Sequence, residues 1–143
     1  MRILLACDLN DANTEDLITR ATGWAERLGG KIDLLFVDAF PYAAAHVHDP
    51  TAQILLTQEY DKLRDSQIGR LDAMLASIPE ASRGAVRRST GARPEDLIIE
   101  AAEGYDLVMV GTHGRTGLAG FFVGSVAERV VRRSPVATLV LRA

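Results

Sequence analysis

A chain of 143 residues, 48% hydrophobic and 24% charged, is expected to fold as one soluble globular domain covering residues 1–143. No apolar run approaches the about 20 residues that cross a bilayer, and MRILLACDLND at the start has acids where a leader peptide has a small-residue cleavage site, so neither a membrane span nor a secretory leader is expected. A net charge of −3 argues against general nucleic-acid binding, and the lone cysteine, Cys7, points to a reducing, cytoplasmic setting.

The first element is the run RILLAC, Arg2–Cys7, a strand candidate. Leu17, Ile18, Ala21, Trp24, Ala25 and Leu28 then recur at three- and four-residue spacing, which predicts a helix with these residues, Trp24 included, facing the core. Gly29-Gly30 ends it. KIDLLFV, Lys31–Val37, is the second strand. The irregular stretch Asp38–Pro50 reads as a loop over the strand ends, and its His46 and His48 read as polar loop residues, since no third metal ligand is evident. A long second helix starts near Thr51, continues through Ile68, Leu71, Leu75 and Ile78, and ends before Pro79.

GAVRRST, Gly84–Thr90, is the third strand, supported by alternation alone. Pro94 suits the first turn of a third helix, and Glu95 and Asp96 suit its positive end. DLVMVG, Asp106–Gly111, is the fourth strand. Ser125 and Glu128 match a capping box opening a fourth helix, which Ser134-Pro135 stops. VATLVLR, Val136–Arg142, is the fifth strand. Strands that are continuously apolar and alternate with helices predict an α/β fold, a doubly wound five-stranded parallel sheet with helices on both faces.

Between the fourth strand and fourth helix lies VGTHGRTGLAGFFVGSVAERVVRR, with glycines at 111, 114, 117, 120 and 124. In such sheets ligands sit beyond the carboxyl ends of the strands. A glycine-rich loop there, feeding a helix whose N-terminal N–H groups have no intrahelical acceptor, reads as a phosphate cradle. The positive balance of residues 82–143, supplied only by arginine, agrees with a small anionic ligand. The P-loop pattern is absent, no lysine follows Lys62, and the dinucleotide pattern G-x-G-x-x-G does not follow the first strand.

The glycine stretch resembles the universal stress protein (UspA) family, whose ATP-binding members carry G-x2-G-x9-G-[ST]. Here that pattern is Gly111, Gly114, Gly124 and Ser125, with Arg115–Val123 as spacer. ILLACDLND, LLFVDAF and STGARPEDLIIEAAEGYDLVMVGTHG are similar to the family's first strand, second strand, and third strand through fourth strand. The resemblance implies a Rossmann-like nucleotide-binding fold and a set of roles. Ala6, Cys7 and Asp8 would lie beside the adenosine, and Val37 would meet adenine through its backbone. Val110 and Gly111 would border ribose and phosphates. Gly114, Gly124, Ser125 and Val126 would bind phosphate. Ala127 stands where many nucleotide-binding relatives have Thr or Ser, so one side-chain phosphate contact is absent. The implied ligand is ATP, ADP or AMP with Mg2+, and the implied role is that of a dimeric stress sensor or regulator acting on an unknown protein partner.

Plainer readings stand beside these. The motif glycines also serve turns, Gly117 and Gly120 read as flexibility, and Ser125 also serves as a helix cap. Arg115 either pairs with a terminal phosphate or is a solvated charge. Asp8 either closes a turn before Asn10 or reaches a ribose hydroxyl or metal-bound water. His113 has no nucleophile or acid fixed beside it by sequence, Cys7 reads as a small buried residue, and Phe121 and Phe122 either anchor their loop or face a partner. No base is evident for an attacking water, so any ATP hydrolysis is expected to be slow. The rival is an enzyme of a related adenine-nucleotide α/β fold, a nucleotide hydrolase or nucleotidyl transferase, whose usual His-pair or Lys/Ser signature is absent. A third reading, a ligand-free dimeric module, conflicts with the intact glycine pattern. If Val136–Arg142 is the sheet edge, pairing with its twin gives a homodimer, as relatives of this type commonly form.

Overall fold

A computed structural model describes residues 1–8, 12–38, 44–112 and 124–142. Five strands, β1 (Arg2–Cys7), β2 (Lys31–Asp38), β3 (Arg83–Thr90), β4 (Leu107–Thr112) and β5 (Ala137–Arg142), alternate with four helices, α1 (Thr14–Leu28), α2 (Pro50–Ser77), α3 (Pro94–Ala101) and α4 (Ser125–Arg133). A short 3-10 turn, Glu80–Ser82, leads into β3. The strands form a parallel sheet in the order β3-β2-β1-β4-β5. This is the Rossmann-like doubly wound arrangement expected from the sequence, with β3 and β5 as its edges.

Each strand residue points to one of two layers, and both are covered. Ile3, Leu5, Ile32, Leu34, Phe36 and Met109 meet α1 and α2 on one face. Leu4, Leu35, Val108 and Val110 meet α3 and α4 on the other. Burial on both faces is why β1, β2 and β4 read as unbroken apolar runs rather than alternating ones. The edge strand β3 has no buried residue, its positions being half-buried or exposed.

Most elements begin and end on the expected signals. α1 stops at Gly29, whose φ of 62° lies in the left-handed region and whose N–H donates to the carbonyls of Ala25 and Glu26. Asp49 caps α2 by accepting from the Thr51 N–H at 3.2 Å, with Pro50 in the first turn. Two expectations fail. Leu28 is 41% exposed and Trp24 39%, because the buried stripe of α1 is Leu17, Ile18, Ala21 and Ala25, with Leu28 past its end and Trp24 on its flank. There the Arg27 guanidinium sits 5.5 Å from the Trp24 ring centroid. The capping box of α4 is also not made. Gly124 is the N-cap, no side chain among the described residues caps the helix, and the Glu128 N–H donates to the Gly124 carbonyl at 2.9 Å. Ser125 is therefore the first helical residue, and Glu128 pairs with Arg132 instead, at 2.9 Å.

Candidate functional site

Strand order reverses at β1: the chain runs outward through β2 and β3 on one side, and β4 and β5 fill the other. In open parallel sheets such a reversal leaves a crevice at the carboxyl ends of the two strands. A cavity of about 630 Å³ occupies this position. Its floor is Ala6, Cys7 and Asp8 after β1, with Phe36, Val37 and Asp38 from β2 on one side and Val110, Gly111 and Thr112 from β4 on the other. Gly124, Ser125, Val126 and Ala127 form one wall, and Leu56, Glu59, Tyr60, Leu63 and Gln67 of α2 form the opposite wall.

Ala6, Cys7, Asp8, Val37, Val110, Gly111, Gly124, Ser125 and Val126, singled out from the sequence, thus line one cavity. Gly114 and Arg115 lie outside the described residues, as do His113, Gly117, Gly120, Phe121 and Phe122. Sequence reasoning missed the whole α2 wall. Its signal was present: residues 56, 60, 63 and 67 recur at the spacing of one helix face. It also missed Asp38, an acid that follows the apolar run Leu34–Val37 and is only 4% exposed.

The two ends of the cavity differ in chemistry. At the α4 end the Ser125, Val126 and Ala127 N–H groups open the helix and have no intrahelical acceptor, and among the described residues no side chain caps them. They suit an anion, aided by the positive end of the helix dipole. α4 is seated by Ala127 and Val130 in the core. It is braced to α3 where Arg129 Nη1 donates to the buried Glu95 Oε1 at 2.6 Å and Arg133 Nη1 donates to Asp96 Oδ1 at 2.8 Å.

At the β2 end Phe36, Val37, Leu56 and Leu63 make the lining largely apolar, with Glu59 and Gln67 on the α2 side and one polar chain beside them. Arg88 Nη2, reaching in from β3, donates to Asp38 Oδ2 and to Tyr60 Oη, the latter at 2.7 Å. On the floor, Thr14 Oγ1 donates to the Asp8 carbonyl and so holds the start of α1 against the end of β1. Cys7 is buried, and burial first, then the Asp8 charge, pushes its thiol up to about 12, so it is a packing residue rather than a nucleophile at neutral pH.

Gly111 has a packing reason to be glycine. A Cβ there would lie 3.0 Å from Leu17 Cδ2 and 3.2 Å from Leu17 Cδ1. The close approach comes from α1, and since Gly111 also lines the cavity, this packing reason stands beside the expected approach of a phosphate. A donor-rich end separated from an apolar end by two strand spacings, about 10 Å, matches a ligand with an anionic group and a flat apolar group.

The sheet, its helices and this crevice define a Rossmann-like α/β protein with a small-molecule cavity at its switch point. A family model described as the universal stress protein family matches residues 1–142, and the chain belongs to that family. A universal stress protein of Mycolicibacterium smegmatis is 39% identical over 56 residues, which are 39% of this chain and 19% of the relative. Universal stress protein MJ0577 of Methanocaldococcus jannaschii is 37% identical over 51 residues, 34% of this chain and 32% of the relative. The matches to these curated relatives therefore span a third or less of the relatives' own length.

The solved structure of MJ0577 superposes with a TM-score of 0.76 at 20% identity, covering 99% of this chain and 95% of that one. A universal stress protein crystallised in complex with cAMP superposes with a TM-score of 0.57 at 24% identity, covering 99% and 96%. At these identities the likeness is one of fold. No helix among the described residues is long and apolar enough to cross a membrane.

Proposed function

We propose that this protein is an adenine-nucleotide-binding stress-response protein, one domain over residues 1–143, acting in the cytoplasm as a dimeric sensor or regulator. The observation that carries the reading is the two-ended cavity at the switch point, lined by the motif residues Gly124 and Ser125 at one end and by Val37 at the other. In this reading the Ser125, Val126 and Ala127 N–H groups hold phosphate, with the Ser125 hydroxyl beside them. Asp8 takes a ribose hydroxyl or a water on Mg2+, and the base lies at the β2 end. A buried, unpaired Cys7 agrees with a reducing compartment. The cAMP complex of a family member supports an adenine ligand. ATP, ADP and AMP remain the proposed ligands, with cAMP added to the set to be tested.

β5 is a sheet edge, and exposed Trp24 stands beside Leu139–Leu141 along it. Both features support pairing of two copies through that strand. Light scattering is expected to read a dimer at about 50 µM, a concentration well above a low-micromolar dissociation constant; a strict monomer there ends the pairing.

The ligand test is direct. Purified protein is denatured and the supernatant searched for adenine nucleotide, and ATP, ADP, AMP and cAMP are then titrated in turn. Gly124→Val, which crowds the mouth of the α4 N-terminus, is expected to weaken binding about tenfold or more. Full affinity in that variant, or no binding of any of the four ligands to the native protein, ends the reading.

A further inference from the structure

The α2 wall is long but thinly attached. Of its 28 residues only Leu71 and Met74, in the rear third, are buried. The stretch ahead of them stands beside the cavity with Leu56, Glu59, Tyr60, Leu63 and Gln67 along it, while Ile54 and Leu55 on its other sides are 59% and 58% exposed. Rear anchoring alone leaves several turns of helix free to swing, since a helix end without buried apolar surface has little to hold it.

A polar chain joins the front half of α2 to the sheet. The Asp38 carboxylate, buried at the end of β2, accepts from Arg88 Nη2 on β3, and the same nitrogen donates to Tyr60 Oη on α2. The Arg88 side chain is 29% exposed and that of Asp38 3%, so the contact is screened far less than a surface pair. A guanidinium held by a buried carboxylate is a fixed donor, and Tyr60 binds to a point that does not move. Asp38 follows Val37 directly, and both line the cavity. The chain therefore sets the gap between the end of β2 and the α2 wall.

We propose that Asp38, Arg88 and Tyr60 form a latch that positions the front half of α2 and thereby sets which substituents the apolar end of the cavity admits. The ligand part rests on the nucleotide reading above: with phosphate at α4, the base and its 6-amino edge lie towards β2 and α2. The three are positioning residues. Closed, the latch leaves room for an unsubstituted purine and excludes a bulky group on the 6-amino nitrogen; released, the wall gives way.

Two measurements on the same variants test this. Hydrogen exchange without ligand compares the native protein with Tyr60→Phe, which removes only the hydroxyl, and with Arg88→Met. Exchange across residues 53–67 is expected to rise about tenfold in both, the size that one hydrogen bond to a charged group supports, while residues 71–77 stay unchanged. Unchanged exchange at 53–67 in Tyr60→Phe overturns the latch. Titration with ADP and N6-benzyl-ADP follows. The native protein is expected to prefer ADP by about tenfold or more, and Tyr60→Phe to bring the ratio close to one, with Arg88→Lys in between. A ratio that Tyr60→Phe leaves at its native value overturns the selectivity role. If the native protein binds neither compound, the nucleotide reading falls and with it the selectivity role, while the exchange result still decides the latch.

Discussion

The two helices that wall the cavity are held in different ways. α4 has nine residues, two of them buried in the core, and two arginines on it reach acids on α3. α2 has 28 residues, also with two buried, both behind the stretch that lines the cavity. The contrast follows from what each end must do. Backbone N–H groups bind an anion only when their direction is fixed, because a dipole that reorients loses its advantage over water. An apolar group is recognised by shape, and a wall that adjusts by a fraction of an ångström still excludes water. The short, braced helix thus belongs with the charge and the long, latched one with the apolar group.

The brace of α4 offers the largest effect. Arg129→Met leaves the Glu95 carboxylate, buried although the arginine is half exposed, without its guanidinium, and a buried charged acceptor left unpartnered costs about 3 kcal/mol. Replacing both, as Glu95→Gln with Arg129→Met, is expected to recover most of this. Urea unfolding of the two variants reads the difference. A single-variant loss below about 0.5 kcal/mol would reduce the brace to the standing of a surface pair, and α4 would be no better held than α2.

A smaller effect separates the two halves of α2. Met74→Ala at the buried rear is expected to cost about 2–3 kcal/mol, whereas Leu55→Ala, at an exposed front position, stays within about 0.5 kcal/mol. Thermal unfolding of the two variants measures the pair. Equal losses would mean that the front half packs as firmly as the rear, and the contrast between the walls would disappear.

The same difference decides what could be read from the chain alone. β1, β2 and β4 were legible because burial on both faces writes itself as continuous Leu, Ile and Val. Gly124 and Ser125 were legible because a helix start after a buried strand has a recognisable composition. The α2 wall was not, although its residues keep helical spacing. Leu56 and Leu63 face a cavity rather than a core, and Ile54 and Leu55 lie outside any stripe, so no clean apolar face marks a direction. Asp38 was passed over because an acid after a strand ordinarily begins a loop. Its role depends on Arg88, 50 residues away in sequence, a contact that no local pattern announces. Trp24 was assigned to the core because spacing gives a face but not its width. Ser125 was read as a cap because the motif S-x-x-E fixes residue types, while the backbone chose Gly124 as the turning point.

A third region, remote from both walls, supplies the control. Near the amino ends of the strands, Asp33 of β2 accepts from Tyr105 Oη at 2.6 Å, Arg87 Nε at 3.0 Å and the Ala85 N–H at 2.8 Å, and the Arg2 guanidinium lies 4.6 Å from the Tyr105 ring centroid. Burial on its own would raise the Asp33 carboxyl, but the bonds from Tyr105, Ala85 and Arg87 together with the Arg87 charge outweigh it and hold the group below its usual value. A carboxyl lowered in the folded state contributes stability that is present above the unfolded value of about 3.9 and is lost as pH falls through the folded value beneath it. Asp33→Asn is therefore expected to cost about 1 kcal/mol at pH 7, in line with the loss of hydrogen bonds to a charged acceptor. The gap to the native protein should narrow as pH drops below about 4, where the native carboxyl protonates as well. Urea midpoints from pH 7 to pH 2 measure this. Nucleotide affinity should not change, since no contact of Asp33 belongs to the cavity wall. A gap that stays constant down to pH 2 would mean that packing around Asp33 matters and its charge does not. An altered nucleotide affinity would mean that the amino end of the sheet reaches the cavity, and that neither wall can be treated as acting alone.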